Sequence, residues 1–344
     1  MPHVQLGGGQ SVSHVPHAEC SVLSAVRRYL QSRSSRSGAA EAMSALLQAT
    51  EQLPVNNMEA WERRLRLELS LVYPRSAFAF WNRWRRPDPE FSWLNLCSGS
   101  GFVRERALWA LSDGAPNGFF CALAMRRLNE WVPEVRAAAR DRLIVVAERS
   151  RPQDVVDALW CVLPHCSSWG RMRDVDSQIL AHVVEVKQVA SALKFKIISA
   201  ASGPASLVLA QSGRSSALDP SLYEIAKMAV QPTTRARAYR CLLEAKATWV
   251  VGRKWDWIDK RWSKGRFTPI HGERAISVVQ PDLELLGAAG ADRSTIVRRV
   301  AAEFLVRELD SLGGASMPLA ELLASDPSPS VAEHGMFALA RLRG

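Results

Sequence analysis

From Ala39 to the end of the chain, apolar residues recur at intervals of three and four, the spacing that lines one face of an α-helix. Sustained alternation with a period of two, bounded by hairpin turns, is nearly absent, so helices are predicted almost throughout. A short helix is predicted over Ser21 to Gln31. It is preceded by a segment, Met1 to Cys20, that carries Gly7-Gly8-Gly9 with scattered His and Pro and reads as a mobile tail. Ser32-Arg33-Ser34-Ser35-Arg36-Ser37-Gly38 reads as a linker. The pattern therefore divides the chain into three parts. Residues 1–38 form a tail with a short helix and a Ser/Arg linker. Residues 95–344 form a helical array, and residues 39–94 form a helical region that either caps that array or belongs to it.

Within the array one phrase repeats. Val103-Arg104-Glu105-Arg106-Ala107, Val135-Arg136-Ala137-Ala138-Ala139 and Val297-Arg298-Arg299-Val300-Ala301 all fit V-R-x-x-A. Thr234-Arg235-Ala236-Arg237-Ala238 keeps the Arg and the Ala. A Leu stands seven residues after each arginine, at Leu111, Leu143, Leu242 and Leu305. The arginines are separated by 32, 99 and 63 residues, near one, three and two units of the size of a helical-hairpin repeat. Two looser copies open at Trp169-Gly170-Arg171-Met172-Arg173 and at Asp326-Pro327-Ser328-Pro329-Ser330-Val331. Pro133, Pro232 and Pro327 each precede such a helix, where proline costs no hydrogen bond.

The phrase, its preceding Asp- or Pro-containing turn and the Leu after it resemble the HEAT-repeat family over about residues 95–344. That resemblance implies an all-α fold, an α-solenoid of HEAT-like helical hairpins, in which the repeat arginines form polar ladders between repeats. The physics is compatible. The small residue three after the arginine admits close approach of neighbouring helices, and the Val and Leu positions supply a stripe that only stacked hairpins bury. The segments around 180–220 and 249–280 match poorly and are read as degenerate repeats or insertions.

Composition adds little until charge is considered. At 47% hydrophobic and 23% charged, the chain has the balance of a folded protein. No apolar run is long enough to span a bilayer, and the first twenty residues lack both the basic start and the apolar core of a secretory signal. The expectation is a cytoplasmic protein with no membrane contact. The six cysteines form no CxxC and read mostly as small buried hydrophobes.

The formal charge of +10 favours an acidic partner, and its placement is informative. Between Trp61 and Arg86 lie Arg63, Arg64, Arg66, Arg75, Arg83, Arg85 and Arg86 against Glu62 and Glu68. Between Trp249 and Phe267 lie Arg253, Lys254, Lys260, Arg261, Lys264 and Arg266 against Asp256 and Asp259. These two segments hold net charges of +5 and +4, and with Trp93 they contain eight of the twelve tryptophans: Trp61, Trp81, Trp84, Trp93, Trp249, Trp255, Trp257 and Trp262.

Cations neutralise phosphates and aromatic faces stack on bases, so both clusters suit nucleic acid. Tryptophan and arginine also make protein–protein hot spots. The structural alternative is an amphipathic helix with Trp buried. Helical spacing would put Trp255, Ile258 and Trp262 on one face and Trp257 on another, leaving Trp257 the better candidate for exposed stacking. The candidate partner-binding residues are Arg63, Arg64, Arg66, Trp81, Arg83, Trp84, Arg85, Arg86, Arg253, Lys254, Trp257, Lys260, Arg261 and Lys264.

The first functional expectation is a non-enzymatic scaffold or adaptor that binds another macromolecule, in the first instance a protein in a larger complex, through its concave or basic face. A nucleic-acid-binding protein is the alternative. A third reading comes from alkylpurine DNA glycosylases built of HEAT-like repeats, which use tryptophans and a catalytic Asp in a basic groove. Trp109 with Asp113, or Trp255 with Asp259, have the spacing to share a helical face. Other chemistry is not indicated. Gly7-Gly8-Gly9 lacks the Lys and Ser/Thr of a phosphate-binding loop, and Gly99-Ser100-Gly101 is not a nucleophile elbow. His14, His17 and Cys20, or Cys161, His165 and Cys166, fall short of a four-ligand metal site. No cofactor, metal or catalytic residue is assigned.

Overall fold

The structure, a computed structural model, describes residues 15–32, 36–51, 53, 57–72, 93–278 and 283–344. It divides into two compact units, one ending at Cys161 and the other beginning at Val162. The first contains α1 (Val15–Ser32), α2 (Arg36–Glu51), α3 (Met58–Val72), α4 (Gly101–Trp109), α5 (Gly118–Met125) and α6 (Pro133–Arg149). The division falls within α7 (Pro152–Cys166). The second contains α8 (Asp174–Glu185), α9 (Lys187–Ser199), α10 (Ala205–Ser212), α11 (Leu222–Met228) and α12 (Pro232–Leu243). It continues with β1 (Lys246–Asp259), β2 (Lys264–Ala275), α13 (Leu283–Gly290), α14 (Thr295–Arg307), α15 (Met317–Ala324) and α16 (Pro329–Arg343). The described residues are mostly helical and also contain one two-stranded antiparallel sheet.

Two sequence expectations change at once. The N-terminal helix begins at Val15, six residues before Ser21, and α2 starts inside the stretch read as linker. More consequentially, the segment around 249–280, read as a degenerate repeat or an insertion, is an insertion: residues 246–275 form a β-hairpin.

The repeated phrase does open helices. Pro133, Pro232 and Pro329 occupy the first turns of α6, α12 and α16, where the missing N–H has no helical partner to lose. Val135, Val297, Ala107, Ala139, Ala238 and Ala301 are buried, as are Leu111, Leu143, Leu242 and Leu305. In the second unit α11 packs on α12, α13 on α14 and α15 on α16, while α12 packs on α14 and α14 on α16.

The repeat arginines are tethered in a common way. Each donates to the carbonyl six residues before it: Arg104 to Ser98, Arg136 to Glu130, Arg235 to Ala229 and Arg298 to Asp292. Three also reach an acid in a later turn. Arg104 Nε lies 2.8 Å from Glu130, Arg235 forms a two-pronged pair with Asp292 at 2.8 Å, and Arg298 does so with Asp326 at 2.5 and 3.0 Å. Arg235 therefore pairs directly with the turn that introduces Arg298. The 63 residues between these arginines are one helical step plus the β-hairpin, and not two helical steps.

Candidate hairpin interface

The hairpin is held firmly at its base. Beyond α12 the chain turns through Ala245, in the left-handed region at φ 51°, and Ile276 N–H closes back on the Ala245 carbonyl at 3.1 Å. Arg274 is the main anchor. Its guanidinium grips both oxygens of buried Asp219 at 2.8 and 2.7 Å and donates to the Gly213 carbonyl at 2.7 Å. Asp219 also accepts from the N–H of Ser277 at 2.9 Å. Burial would raise the Asp219 pKa, but the hydrogen bonds from Arg274 and Ser277 and the guanidinium charge outweigh it and hold the carboxyl below its ordinary value. Gln211 of α10 donates to the Val250 carbonyl at 2.9 Å, and Ala247 is buried.

Trp249 completes the base. It lies opposite Gly272 in register, and the Arg214 guanidinium sits 5.4 Å from its ring centroid. A Cβ on Gly272 would come within 2.7 Å of the Trp249 ring, so only glycine leaves room for the indole there. Gly272→Ala is expected to destabilise the second unit by about 1–3 kcal/mol through overpacking, read as a lowered Tm.

Beyond Val250 the hairpin is exposed. Register pairs Trp255 with Phe267, Trp257 with Gly265, and Arg253 with Pro269, which places all of them on one face. Lys254 with Thr268 and Asp256 with Arg266 occupy the other face. Trp255 sits at the centre of an aromatic group, edge-on to Trp257 at 5.6 Å and to Phe267 at 4.9 Å between centroids. Its indole leans over Gly265, where a Cβ would lie 2.5 Å from the ring. Trp257, Phe267 and Trp262 are 51%, 65% and 75% exposed. With Trp255 at 41%, four aromatic rings of one hairpin expose large apolar surface, which is unusual for a surface with nothing to bind.

The charges at the tip are unevenly matched. Asp256 accepts from Thr268 Oγ1 and lies 3.4 Å from Lys254 Nζ, and these contacts hold its carboxyl below its ordinary value. Asp259 accepts from the Arg261 N–H at 2.9 Å. Arg253, Lys260, Arg261, Lys264 and Arg266 are exposed and form no ion pair among the described residues.

The sequence-predicted residues thus separate into three groups. Arg253, Lys254, Trp257, Lys260, Arg261 and Lys264 come together on the hairpin. The helical assignment placed Trp255 and Trp257 on different faces and Trp255 with Ile258 and Trp262 on a core stripe. As strand residues Trp255 and Trp257 share a face, and all three tryptophans are exposed. Trp255, Trp262, Phe267 and Arg266 therefore join the candidate surface.

The first cluster behaves differently. Trp61 and Trp93 are core residues. Arg66 pairs with Glu62 at 2.8 Å, in a buried network where Glu62 also meets Arg127 at 2.5 Å and Arg127 meets Glu130 at 2.9 Å. Burial pushes the Glu62 pKa up, yet Arg127, Arg126 and Arg66 together bring it below its ordinary value. Arg64 lies 5.5 Å from the Trp61 ring centroid, and Arg63 is exposed. Trp81, Arg83, Trp84, Arg85 and Arg86 lie outside the described residues.

The geometry also bears on chemistry. Trp255 and Asp259 are strand residues, and Asp259 faces Lys264 across the hairpin beyond a register shift. Asp113 is exposed and lies past the end of α4. Cys97, Cys121, Cys166 and Cys241 are buried; burial pushes the thiols of Cys97 and Cys166 up to about 12 and about 11, so they are poor nucleophiles. Among the described residues no three His, Cys, Asp or Glu side chains are placed to share a metal ion, and no helix is long and apolar enough to cross a membrane. Compared with known protein families and with curated proteins, the chain finds no match.

Proposed function

We propose that the chain is a HEAT-like scaffold that binds another macromolecule, with the β-hairpin at 246–275 as its contact element. One observation carries the reading: the base of the hairpin is bonded into the second unit, while its outer half presents four exposed aromatic rings and five cations that form no ion pair among the described residues. A two-stranded hairpin alone is marginally stable. Anchoring it through buried Asp219 makes it a rigid support for side chains that contribute nothing to the core. Rigid aromatic rings lose little entropy on binding, which suits them to contact surfaces. The repeat arginines contribute to the fold and not to the binding surface, because their guanidinium groups are consumed by carbonyls and carboxylates. Contact is therefore assigned to the hairpin and not to the repeat arginines.

Val250 and His271 face each other in register, so an Asn-Gly turn joining them removes the outer half and keeps the base. Tagged full-length chain and this shortened variant are to be cross-linked in cell lysate, with captured protein and nucleic acid both quantified. The shortened variant is expected to lose about tenfold or more of the captured material at unchanged Tm. Equal capture by the two would overturn the reading.

A further inference from the structure

We infer that the partner of the hairpin is single-stranded nucleic acid, with bases stacked on Trp257 and Phe267 and phosphates held by Arg253, Lys260 and Arg261. The inference rests on the hairpin being the contact element and goes further by naming what it contacts.

Three features of the tip point to this chemistry. The first is the arrangement of the rings. Trp255 is the inner member of the group, touching Trp257, Phe267 and the Gly265 backbone, and it props the other two. Trp257 and Phe267 keep more than half their surface open, on the same face of the hairpin. A pair of open rings held apart by a third offers successive platforms for flat, unpaired bases.

The second feature is charge. Arg253 lies on the aromatic face itself, and Lys260 and Arg261 come at the turn beside exposed Trp262. The two acids of the tip are engaged within the hairpin, Asp256 by Thr268 and Lys254 and Asp259 by the Arg261 N–H. The tip therefore keeps its positive charge next to its rings. A strand of nucleic acid supplies an anion and a flat face at every residue, and so matches both at a repeating interval.

The third feature is what the aromatic face lacks. Reading base edges in a duplex groove needs side chains that donate and accept hydrogen bonds. Here that face carries Trp255, Trp257, Phe267 and Pro269, with Arg253 as its one strongly polar member among the paired positions from 253 to 257 and 265 to 269. A duplex covers its base faces except at its ends, so the rings select the single-stranded form.

The test is fluorescence anisotropy of the full-length chain with a labelled mixed-sequence 16-nucleotide single strand, as DNA and as RNA, beside the matching DNA duplex. The single strand is expected to bind at least tenfold more tightly than the duplex. Its log Kd is expected to rise with log salt at a slope of about 2, as three phosphate contacts imply. Trp257→Ala and Phe267→Ala each remove one stacking platform and are expected to weaken binding by about 5- to 150-fold. Lys260→Glu/Arg261→Glu should flatten the salt dependence, while Lys187→Glu, an exposed charge on α9, should change affinity by less than about twofold. All these positions are exposed, so the variants are expected to keep the parent Tm.

No binding of the single strand at 50 mM salt would overturn the inference, as would equal affinity for the duplex or unchanged binding by the Trp257 and Phe267 variants. The two proposals fail separately. If oligonucleotides do not bind but the shortened hairpin still loses captured protein from lysate, the contact element stands and the nucleic-acid partner falls. If the shortened variant captures as much as the parent, both fall.

Discussion

Asp219→Ala is expected to release the β-hairpin from the second unit and to cost about 3–5 kcal/mol, because it leaves a guanidinium largely buried without its counter-charge. In the intact chain Arg274 meets Asp219 through two hydrogen bonds, and Ser277 adds its N–H and hydroxyl to the same carboxylate. One residue thus ties together the 211–219 segment, the end of β2 and the chain that leaves it. Hydrogen exchange measured peptide by peptide is the suitable readout, since a chain of two units need not unfold in one step. Peptides covering 246–278 should exchange faster by two orders of magnitude or more, the size that such a loss implies. Peptides from α14 to α16 should change little. Protection lost evenly across the second unit would show that the hairpin and the helices unfold together.

Asp292→Ala is the second large effect, and it acts on the helical array. Arg235 is 2% exposed and spends its guanidinium on Asp292 and on the carbonyls of Ala229 and Val230. Removing Asp292 strands that charge in the core and also removes the acceptor for the Ser294 N–H ahead of α14. A loss of about 3–5 kcal/mol is expected, enough to lower Tm by roughly 10 °C for a unit of this size.

The same chemistry sets the response to acid. Burial raises the Asp292 pKa, but the hydrogen bonds from Arg235 and Ser294 and the neighbouring guanidinium charge bring it below the ordinary 3.8. The hydrogen bond from Arg298 does the same for Asp326, and Arg274 for Asp219. A carboxyl whose folded pKa lies below its unfolded one stabilises the fold fully above the unfolded value. That contribution is lost as pH falls through the folded value. Stability of the second unit should therefore be flat near neutrality and decline as pH falls below about 4. The Asp292→Ala variant should decline less steeply, and thermal unfolding from pH 3 to pH 7 checks this.

The helical part of the fold was legible because its constraint is local and repeated. An arginine that must reach a carbonyl six residues back and an acid in a later turn fixes both its own position and its surroundings. The acids themselves were also visible. Glu130, Asp292 and Asp326 each stand six residues before Arg136, Arg298 and Ala332, the arginine's place in the last copy. That recurrence would have shown that Arg235 and Arg298 belong to consecutive steps.

The hairpin was not legible from hydrophobic periodicity because most of its outer half buries neither face. A strand reveals itself by alternation only when one side meets a core. Trp255, Trp257, Ile258 and Trp262 instead gave a spacing that also fits a helix. The usable signals were subtler. Gly265 and Gly272 occur where a facing indole needs room, and Thr268, Ile270 and Phe267 give β2 branched and aromatic residues. The cluster read around Arg253 to Lys264 lies together on the hairpin, but its aromatic face was divided because strand and helix assign residues two apart to different sides. Arg66 entered the candidate set through its place in a basic, tryptophan-bearing segment, and in the structure it pairs with Glu62 at 2.8 Å.

A contact element needs its aromatic rings open in the free protein, whereas the tryptophans of the helical core need theirs covered. Hydroxyl-radical footprinting of the free full-length chain, read residue by residue by mass spectrometry, measures this directly. Trp257, Trp262 and Phe267 are expected to oxidise fast, with Trp255 slower and Trp61 and Trp93 protected, in line with their exposures in the structure. Oxidation of Trp257, Trp262 and Phe267 as slow as that of Trp61 and Trp93 would mean that the hairpin is covered by its own chain, and would contradict its role as the contact element.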